Sequence, residues 1–213
     1  MDEAAARRWL AETLNVPRET FDRLEEFVAL LGEENERQNL VSTASLDHVW
    51  SRHIADSAQL LLHGQADGRW IDLGTGAGFP GVIVALLRDG PITLVEQRRL
   101  RVDFLKRAVA CLGLTDRVEV LAANVGTMKS EPFSVISARA FAPLDRLFAV
   151  SVHLAAQNTK WILPKGRNAK SELEAARASW QGMFRLEPSV TDPDACIVIA
   201  EQLHRRPKGK RTS

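Results

Sequence analysis

The sequence predicts an α/β protein, with a seven-stranded, mostly parallel sheet, helices on both faces and a helical cap at its N-terminus. Three observations lead there. From Arg69 onward, short apolar runs alternate with segments of helical period, the pattern of successive βαβ units. One of those runs, Trp70 to Leu73, breaks into a turn with Gly74, Gly76 and Gly78 before a helical stretch opens at Pro80. Upstream of it, residues 1–65 read as helices.

Phe21, Leu24, Phe27, Val28 and Leu31 recur at helical spacing after Pro17, and that helix is expected to fray between Asn35 and Asn39. A second helix is expected from Ser45, a suitable N-cap, through Leu46, Val49, Trp50, Ile54, Ala58, Leu61 and Leu62, stopping at Gly64. Strands follow at 69–73, 91–96, 117–121, 133–137 and 159–163, with helices at 80–88, 98–112, 125–129, 143–156 and 169–180. Met183 to Val190 and Ala195 to Gln202, joined by T-D-P-D, read as an antiparallel pair. The expected divisions are a cap at 1–65, a sheet domain at 66–204 and a basic tail at 205–213.

With 213 residues, 45% of them hydrophobic and 26% charged, the chain suits one domain with a sizeable core. No apolar run approaches the roughly 20 residues of a membrane span. The start M-D-E-A-A-A-R-R has no secretory apolar segment, so a cytoplasmic address without membrane association is expected. Cys111 on a helical pattern and Cys196 at the start of an apolar strand suggest neither a metal site nor a disulfide framework, and both are expected to be buried thiols. A net charge of +1 argues against a surface that is a nucleic-acid footprint throughout. The tail is different. His204, Arg205, Arg206, Lys208, Lys210 and Arg211 make it basic, and composition leaves a disordered solvated end and an RNA-steering role equally open.

A strand, a glycine turn and a helix N-terminus point backbone N–H groups at a ligand, usually a nucleotide. Two nucleotides compete. Gly76, Gly78 and Gly81 fit G-x-G-x-x-G, with Glu96 at the distance of a ribose-binding acid, which describes an NAD site. Counted from Gly74, where the strand ends, the pattern is instead D-x-G-x-G-x-G with Phe79 following, the loop of an S-adenosylmethionine-dependent methyltransferase. Asp72 then closes the strand near the cofactor's amino-acid end, and Glu96 takes both ribose hydroxyls through its two oxygens. Five parallel strands followed by a hairpin is the seven-stranded methyltransferase order. It leaves no second domain of the kind a dehydrogenase uses.

N-L-V-S (39–42), S-R-H-I-A-D-S (51–57), D-L-G-T-G-A-G-F-P-G (72–81), R-V-x-F-L (101–105), S-x-R-A-F-A (137–142) and L-P-K-G (163–166) occur in order between Asn39 and Glu201. In these the chain resembles the RsmG (GidB) family of bacterial small-subunit ribosomal RNA methyltransferases, which methylate N7 of one guanosine. The resemblance implies a Rossmann-like class I methyltransferase fold, S-adenosyl-L-methionine as cofactor and small-subunit ribosomal RNA or the 30S subunit as partner, with the protein acting as a monomer. It matches Gly74 and Phe79 to cofactor contacts of the glycine loop, Glu96 to the ribose acid, Asn124 and Val125 to the adenine site, and Arg139 to an arginine of the cofactor site. Gly76 and Gly78 belong to the same loop. The family commonly has Glu where Gly126 stands, so adenine contacts here fall to the backbone or to Asn124.

A methyl on sulfonium is already activated, so its transfer needs orientation more than acid–base groups. No Pro-Cys loop for attack on a pyrimidine ring carbon follows a strand, and S-A-R-A-F-A stands where an exocyclic-amine enzyme has Asn-Pro-Pro-aromatic. Guanine N7, with a free lone pair and no proton to lose, needs neither device. No catalytic residue is therefore assigned. The expected substrate side is Arg52, His53, Arg139, Phe141, Lys165 and Arg167. Arg139 holds the cofactor carboxylate, a phosphate or guanine O6, or else caps a carbonyl. Phe141 stacks on a base or belongs to the core, and Lys165 and Arg167 meet RNA phosphate or solvent. Arg52 and Asp56, four apart on one helix, are expected to pair. A methyltransferase of the same fold acting on a protein or small molecule is the alternative.

Overall fold

The computed structural model describes residues 1–64 and 68–207. Strands β1 (Trp70–Leu73), β2 (Ile92–Glu96), β3 (Val118–Ala122), β4 (Phe133–Ser137) and β5 (Ala155–Lys165) pair in parallel. β7 (Cys196–Arg205) enters antiparallel between β5 and β6 (Trp180–Pro188), giving the order β3-β2-β1-β4-β5-β7-β6. Chain order reverses at β1, which sits between β2 and β4. In such sheets the crevice beyond the carboxyl ends of the strands at the reversal is where ligands bind.

Alternation along the strands divides the core into two layers. Trp70, Ile92, Leu94, Val135 and Ile162 face α5 (Gly81–Leu87) and α6 (Arg99–Cys111). Ile71, Val95, Ile136, Trp161 and Leu163 face α7 (Leu144–Ser151) and α8 (Ala169–Arg177). The N-terminal helices α1 (Glu3–Thr13) and α2 (Arg18–Gln38) bury Ala6, Leu10, Leu24, Phe27 and Leu31 in the α5–α6 layer. Residues 1–64 thus share a core with one face of the sheet rather than enclosing one of their own. Glu34, one of the acidic residues of α2, is buried and accepts from Gln38 at 2.6 Å and from Arg107 of α6.

Several boundaries differ from expectation. Ser42, not Ser45, caps the helix after α2; its Oγ accepts the Ser45 N–H at 3.2 Å, and Ser45 is buried inside α3 (Thr43–Leu46). The long helix expected through Leu62 is broken into a π-helical segment Trp50–Ala55, a short α-turn α4 (Asp56–Ala58) and a 3₁₀ turn Gln59–Leu62. Glu3 of α1 accepts the N–H groups of Trp50 and Ser51 at 3.0 and 2.8 Å and so caps the segment from another helix. Downstream, α7 ends at Ser151 and α8 at Arg177, and the segment at 125–129 is a 3₁₀ turn Val125–Thr127. Trp180 begins β6 because its ring packs edge-on against Phe148 at 5.8 Å and its Nε1 donates to Asp145 at 3.0 Å. At the tail, Arg205 ends β7, and Arg206 donates from its backbone to Ser179 and from Nε to Arg177 (2.8 and 2.7 Å). Of the two readings left open for the tail, the disordered end therefore does not hold at 205–206, and residues 208–213 lie outside the described residues, as does the 65/66 division. Cys111 is exposed and Cys196 half-buried, so neither is the buried thiol expected. No described helix is long and apolar enough to cross a membrane.

Candidate active site

The glycine turn leaves β1 at the crevice. Gly74, Gly76 and Gly78 take φ of +67°, +59° and +102°, which a side chain would oppose. A Cβ on Gly74 would lie 2.5 Å from the Phe141 ring, and one on Gly78 would lie 2.7 Å from Phe27 of α2. The N-terminal helices thus press on the loop from behind and the β4–α7 loop presses from in front. Beneath it, Asp72 is fully buried. Its Oδ2 accepts the Gly81 N–H at 3.1 Å and its Oδ1 accepts from Ser137 at 2.7 Å, while Trp70 Nε1 donates to Ser137 at 2.8 Å. Burial raises the Asp72 carboxyl to about 6 against the pull of the hydrogen bonds from Ser137, Thr75 and Gly81 and of Arg139.

Glu96, at the carboxyl end of β2, is buried beside that loop. Its Oε1 accepts from the N–H groups of Gln97 and Arg98 (2.7 and 2.9 Å), and its Oε2 accepts from Gly76 at 3.1 Å with Arg101 at 3.8 Å. A carboxylate offers about four acceptor positions, so this arrangement leaves room on Oε2 for one further donor. The Asn124 side chain accepts the Gly126 N–H at 2.9 Å and so caps its own turn, and Val125 is buried in the core. At this turn only the backbone and the amide of Asn124 remain for a ligand. Glycines without Cβ, an acceptor carboxylate at the strand end and a backbone turn beyond β3 suit the chemistry of a nucleoside with a ribose diol.

Of the residues expected on the substrate side, all but Arg167 line a separate cavity of about 1000 Å³. Arg52, His53, Arg139, Phe141 and Lys165 border it, and Gly74, Gly76, Gly78, Glu96 and Asn124 do not. Arg139 follows β4, and Ala140 after it has φ of +51°, so that Arg139 and Phe141 diverge. The first turns to the π-helical segment and the second lies over Gly74. The Arg139 guanidinium donates to Asp56 Oδ2 at 3.0 Å and to the Arg52 carbonyl at 3.1 Å, and it lies over the Phe79 ring at 5.0 Å. Arg139 thus borders the cavity, touches the loop through Phe79 and caps the Arg52 carbonyl, the structural reading named for it. Asp56 accordingly pairs with Arg139, not with Arg52. The π-helical geometry between positions 50 and 55 sets aside the i, i+4 alignment that pairing needs.

His53 stacks on Phe79 with centroids 4.6 Å apart, and its Nδ1 lies 3.0 Å from Arg139 Nη2. A guanidinium only donates, so Nδ1 accepts and the ring proton sits on Nε2. Desolvation, with Arg139 and Arg52 adding repulsion, pulls the imidazole down to about 3. Lys165 is also committed, donating at 2.8 Å each to the Ala142 carbonyl and to Glu172. Arg167 is exposed on the loop beyond it.

The family model described as rRNA small subunit methyltransferase G (GidB) matches residues 20–191. The chain belongs to that family. A Rhizorhabdus wittichii protein named Ribosomal RNA small subunit methyltransferase G is 50% identical, over 99% of this chain and 98% of its own length. Among solved structures, cofactor-bound Rv0187 from MTB aligns with a TM-score of 0.63 at 14% identity over 95% of this chain and 98% of that one. An O-methyltransferase from Bacillus cereus in complex with SAH aligns at 0.62 and 16% identity, over 92% and 97%. These two likenesses show the fold, a Rossmann-like class I methyltransferase.

Sequence reasoning brought the glycine loop and the residues expected on the substrate side to one sheet edge, but it missed what holds the second group. Asp56, Gln59, Glu172 and Thr191 carry the hydrogen bonds that fix Arg139, Lys165 and the β6–β7 turn. Their signal was present only in Asp56, inside S-R-H-I-A-D-S. The partners it meets, Arg139 and Thr191, are 83 and 135 residues away.

Proposed function

We propose that the protein transfers the methyl group of S-adenosylmethionine to N7 of one guanine of small-subunit ribosomal RNA, acting as a monomer in the cytoplasm. The observation that carries this reading is that the ionisable side chains between donor loop and cavity are already committed. His53 spends its Nδ1 lone pair on Arg139, so that its proton falls to Nε2, a buried atom with no partner among the described residues, while Asp56 and Lys165 are paired. Such a site orients an acceptor and has no base to offer it. Guanine N7 attacks with an in-plane lone pair and gives up no proton, so it is the acceptor such a site suits.

S-adenosylmethionine, when bound, supplies an electrophilic methyl group on sulfonium. Glu96 would hold its ribose, and taking both hydroxyls requires the Gly76 N–H to release Oε2. The turn at Asn124 and Val125 would hold adenine, and Gly74, Gly76, Gly78 and Phe79 would line the methionine end. Arg52, His53, Arg139, Phe141, Lys165 and Arg167 would face the RNA, with Phe141 bridging the loop and the cavity. Because Arg139 and Lys165 are neutralised by Asp56 and Glu172, the cavity suits an uncharged base, and phosphate attraction falls to exposed Arg52 and Arg167.

Radiolabelled methyl transfer to small subunits from cells lacking the protein tests the reading. Label in the RNA, with 7-methylguanosine identified by mass spectrometry of the digested nucleosides, is expected. Label in protein, in a metabolite or in another nucleoside would refute it.

A further inference from the structure

One carboxylate on the cavity joins parts of the chain that have no contact in sequence. Asp56 gives Oδ2 to Arg139 at 3.0 Å and Oδ1 to Thr191 Oγ1 at 3.1 Å and to Gln59 Nε2 at 2.9 Å. Gln59, oriented by that bond, accepts the Val190 N–H at 2.9 Å and donates to Ser189 Oγ at 3.2 Å. Ser189, Val190 and Thr191 form the start of the β6–β7 turn, whose residues Ser189, Thr191 and Asp192 line the cavity. The turn is therefore fastened from the side of the π-helical segment, and the fastening carboxylate is the one that holds Arg139.

The turn lacks strong support of its own. It contains Pro193 between two aspartates, and within the loop its bonds are short-range ones: Ser189 to Ala195 and Ala195 to Asp192 (3.1 Å each), Ser189 Oγ with Thr191 Oγ1 and the Thr191 N–H, and the Asp194 N–H to Asp192 Oδ1. From outside, apart from Asp56 and Gln59, the N-terminal ammonium of Met1 donates to the Thr191 carbonyl at 3.1 Å. Asp56 is four-fifths buried, with a side-chain exposure of 18% equal to that of Arg139, so water is a poor substitute for either partner. Removing the carboxylate takes a bond from both arms at once, leaving the turn to Gln59 and Met1 and Arg139 to the Arg52 carbonyl and His53.

We propose that Asp56 is a positioning residue that latches the β6–β7 turn onto the acceptor cavity while it aims Arg139, so that closure of the wall and orientation of the guanidinium are one event. This rests on the reading of the cavity as the acceptor site. Its consequence for the wall can nevertheless be measured without activity. Cys196 begins β7 directly after the turn, lines the cavity and is half-buried, whereas Cys111 at the end of α6 is exposed. Iodoacetamide labelling of the full-length protein, quantified at each cysteine by mass spectrometry, compares the two.

In Asp56→Ala, labelling at Cys196 should rise about fivefold relative to Cys111, and in Thr191→Val, which loosens one arm, about twofold. Unchanged Cys196 labelling in folded Asp56→Ala overturns the latch, and should that variant fail to fold, unchanged labelling in Thr191→Val overturns it instead. For the other arm, Asp56→Ala should lower kcat for methyl transfer about tenfold or more with S-adenosylhomocysteine affinity held within about twofold. A loss confined to S-adenosylhomocysteine affinity would overturn the assignment to Arg139. If the unaltered protein transfers no methyl group to small subunits, the proposed function falls, while the labelling still decides the latch.

Discussion

On the donor side the groups that matter belong to the main chain. Three glycines of positive φ shape the turn, with the N–H groups of Gly74 and Gly78 on the Val95 and Thr75 carbonyls; Glu96 is held by the N–H groups of Gly76, Gln97 and Arg98, and Asp72 ties the turn to Gly81. On the acceptor side the work falls to side chains, Arg139 with Asp56 and His53, and Lys165 with Glu172. The first region is fixed by local backbone geometry that has no space for a Cβ at Gly74 or Gly78. The second is fixed by reciprocal pairing, in which every partner lies on another element. Phe79 is where they meet, with its ring stacked on His53 and under Arg139 while its backbone belongs to the loop. Damage to the donor side should therefore reach stability as well as binding. Damage to the acceptor side should reach turnover first.

Gly74→Val offers the harshest test of that contrast. A β-branched residue at φ of +67° whose Cβ would sit 2.5 Å from Phe141 must shift the ring or the turn. Left-handed strain and overpacking together cost roughly 2–5 kcal/mol, or about 5–15 °C in melting temperature for a chain of this size. Cofactor binding should vanish with it. A normal melting curve and normal titration would show that the loop adapts, and the backbone account of the donor side would be wrong.

Arg139→Ala should divide the properties the other way. Transfer should fall on the order of 100-fold, because orientation is what the site contributes. The melting temperature should fall by a few degrees at most, since Asp56 keeps Thr191 and Gln59 as donors once the guanidinium is gone. Calorimetry with S-adenosylhomocysteine should give nearly unaltered affinity. A large affinity loss would move Arg139 back to the cofactor, the other role the sequence allowed.

Glu96→Ala lies between. Loss of the carboxylate strands three backbone N–H groups and removes the acceptor proposed for ribose, so affinity should weaken by about 10–100-fold, the equivalent of one charge-assisted hydrogen bond. Glu96→Gln, which keeps one oxygen, should recover part of it. Equal affinity in all three proteins would remove Glu96 from the site.

The same contrast explains what the sequence could disclose. The strand order, the hairpin and the glycine turn were legible because their causes are local: alternation along β1 to β5, and glycine where φ is positive. Glu96 was legible because it sits a fixed distance along one βαβ unit from that turn. The break at Trp50–Ala55 was not, since its cap comes from Glu3, 47 and 48 residues away, and an unbroken apolar period concealed it. The Arg52–Asp56 pair failed for the same reason, because the spacing rule presumes an α-helix that tertiary capping had altered. Cys111 and the tail misled differently. A helical pattern does not say which face looks outward, and a basic composition does not reveal that Arg205 pairs with Trp180 at the end of β7 or that Arg206 bonds to Ser179 and Arg177.

The smallest effect couples the two regions through pH. The unfolded chain protonates His53 near 6.5 and the folded chain only near about 3, so acidification across that window favours unfolding. Asp72 acts in reverse. The folded chain protonates it near about 6 and the unfolded chain near 3.8, so the same acidification favours the folded state. Between about pH 6 and 4 the two uptakes nearly cancel, and the pair leaves the unaltered protein with little slope. His53→Gln removes the opposing half, and its urea midpoint, relative to the unaltered protein, should climb as pH falls from 6 to 4. Asp72→Asn, whose amide can donate to Ser137 while its oxygen accepts from Gly81, should show a relative decline over the same range. Each slope is at most about 1.4 kcal/mol per pH unit, and the two have opposite sign. Curves for both variants parallel to that of the unaltered protein would mean that neither burial acts on its proton. The donor floor and the acceptor wall would then be electrostatically ordinary.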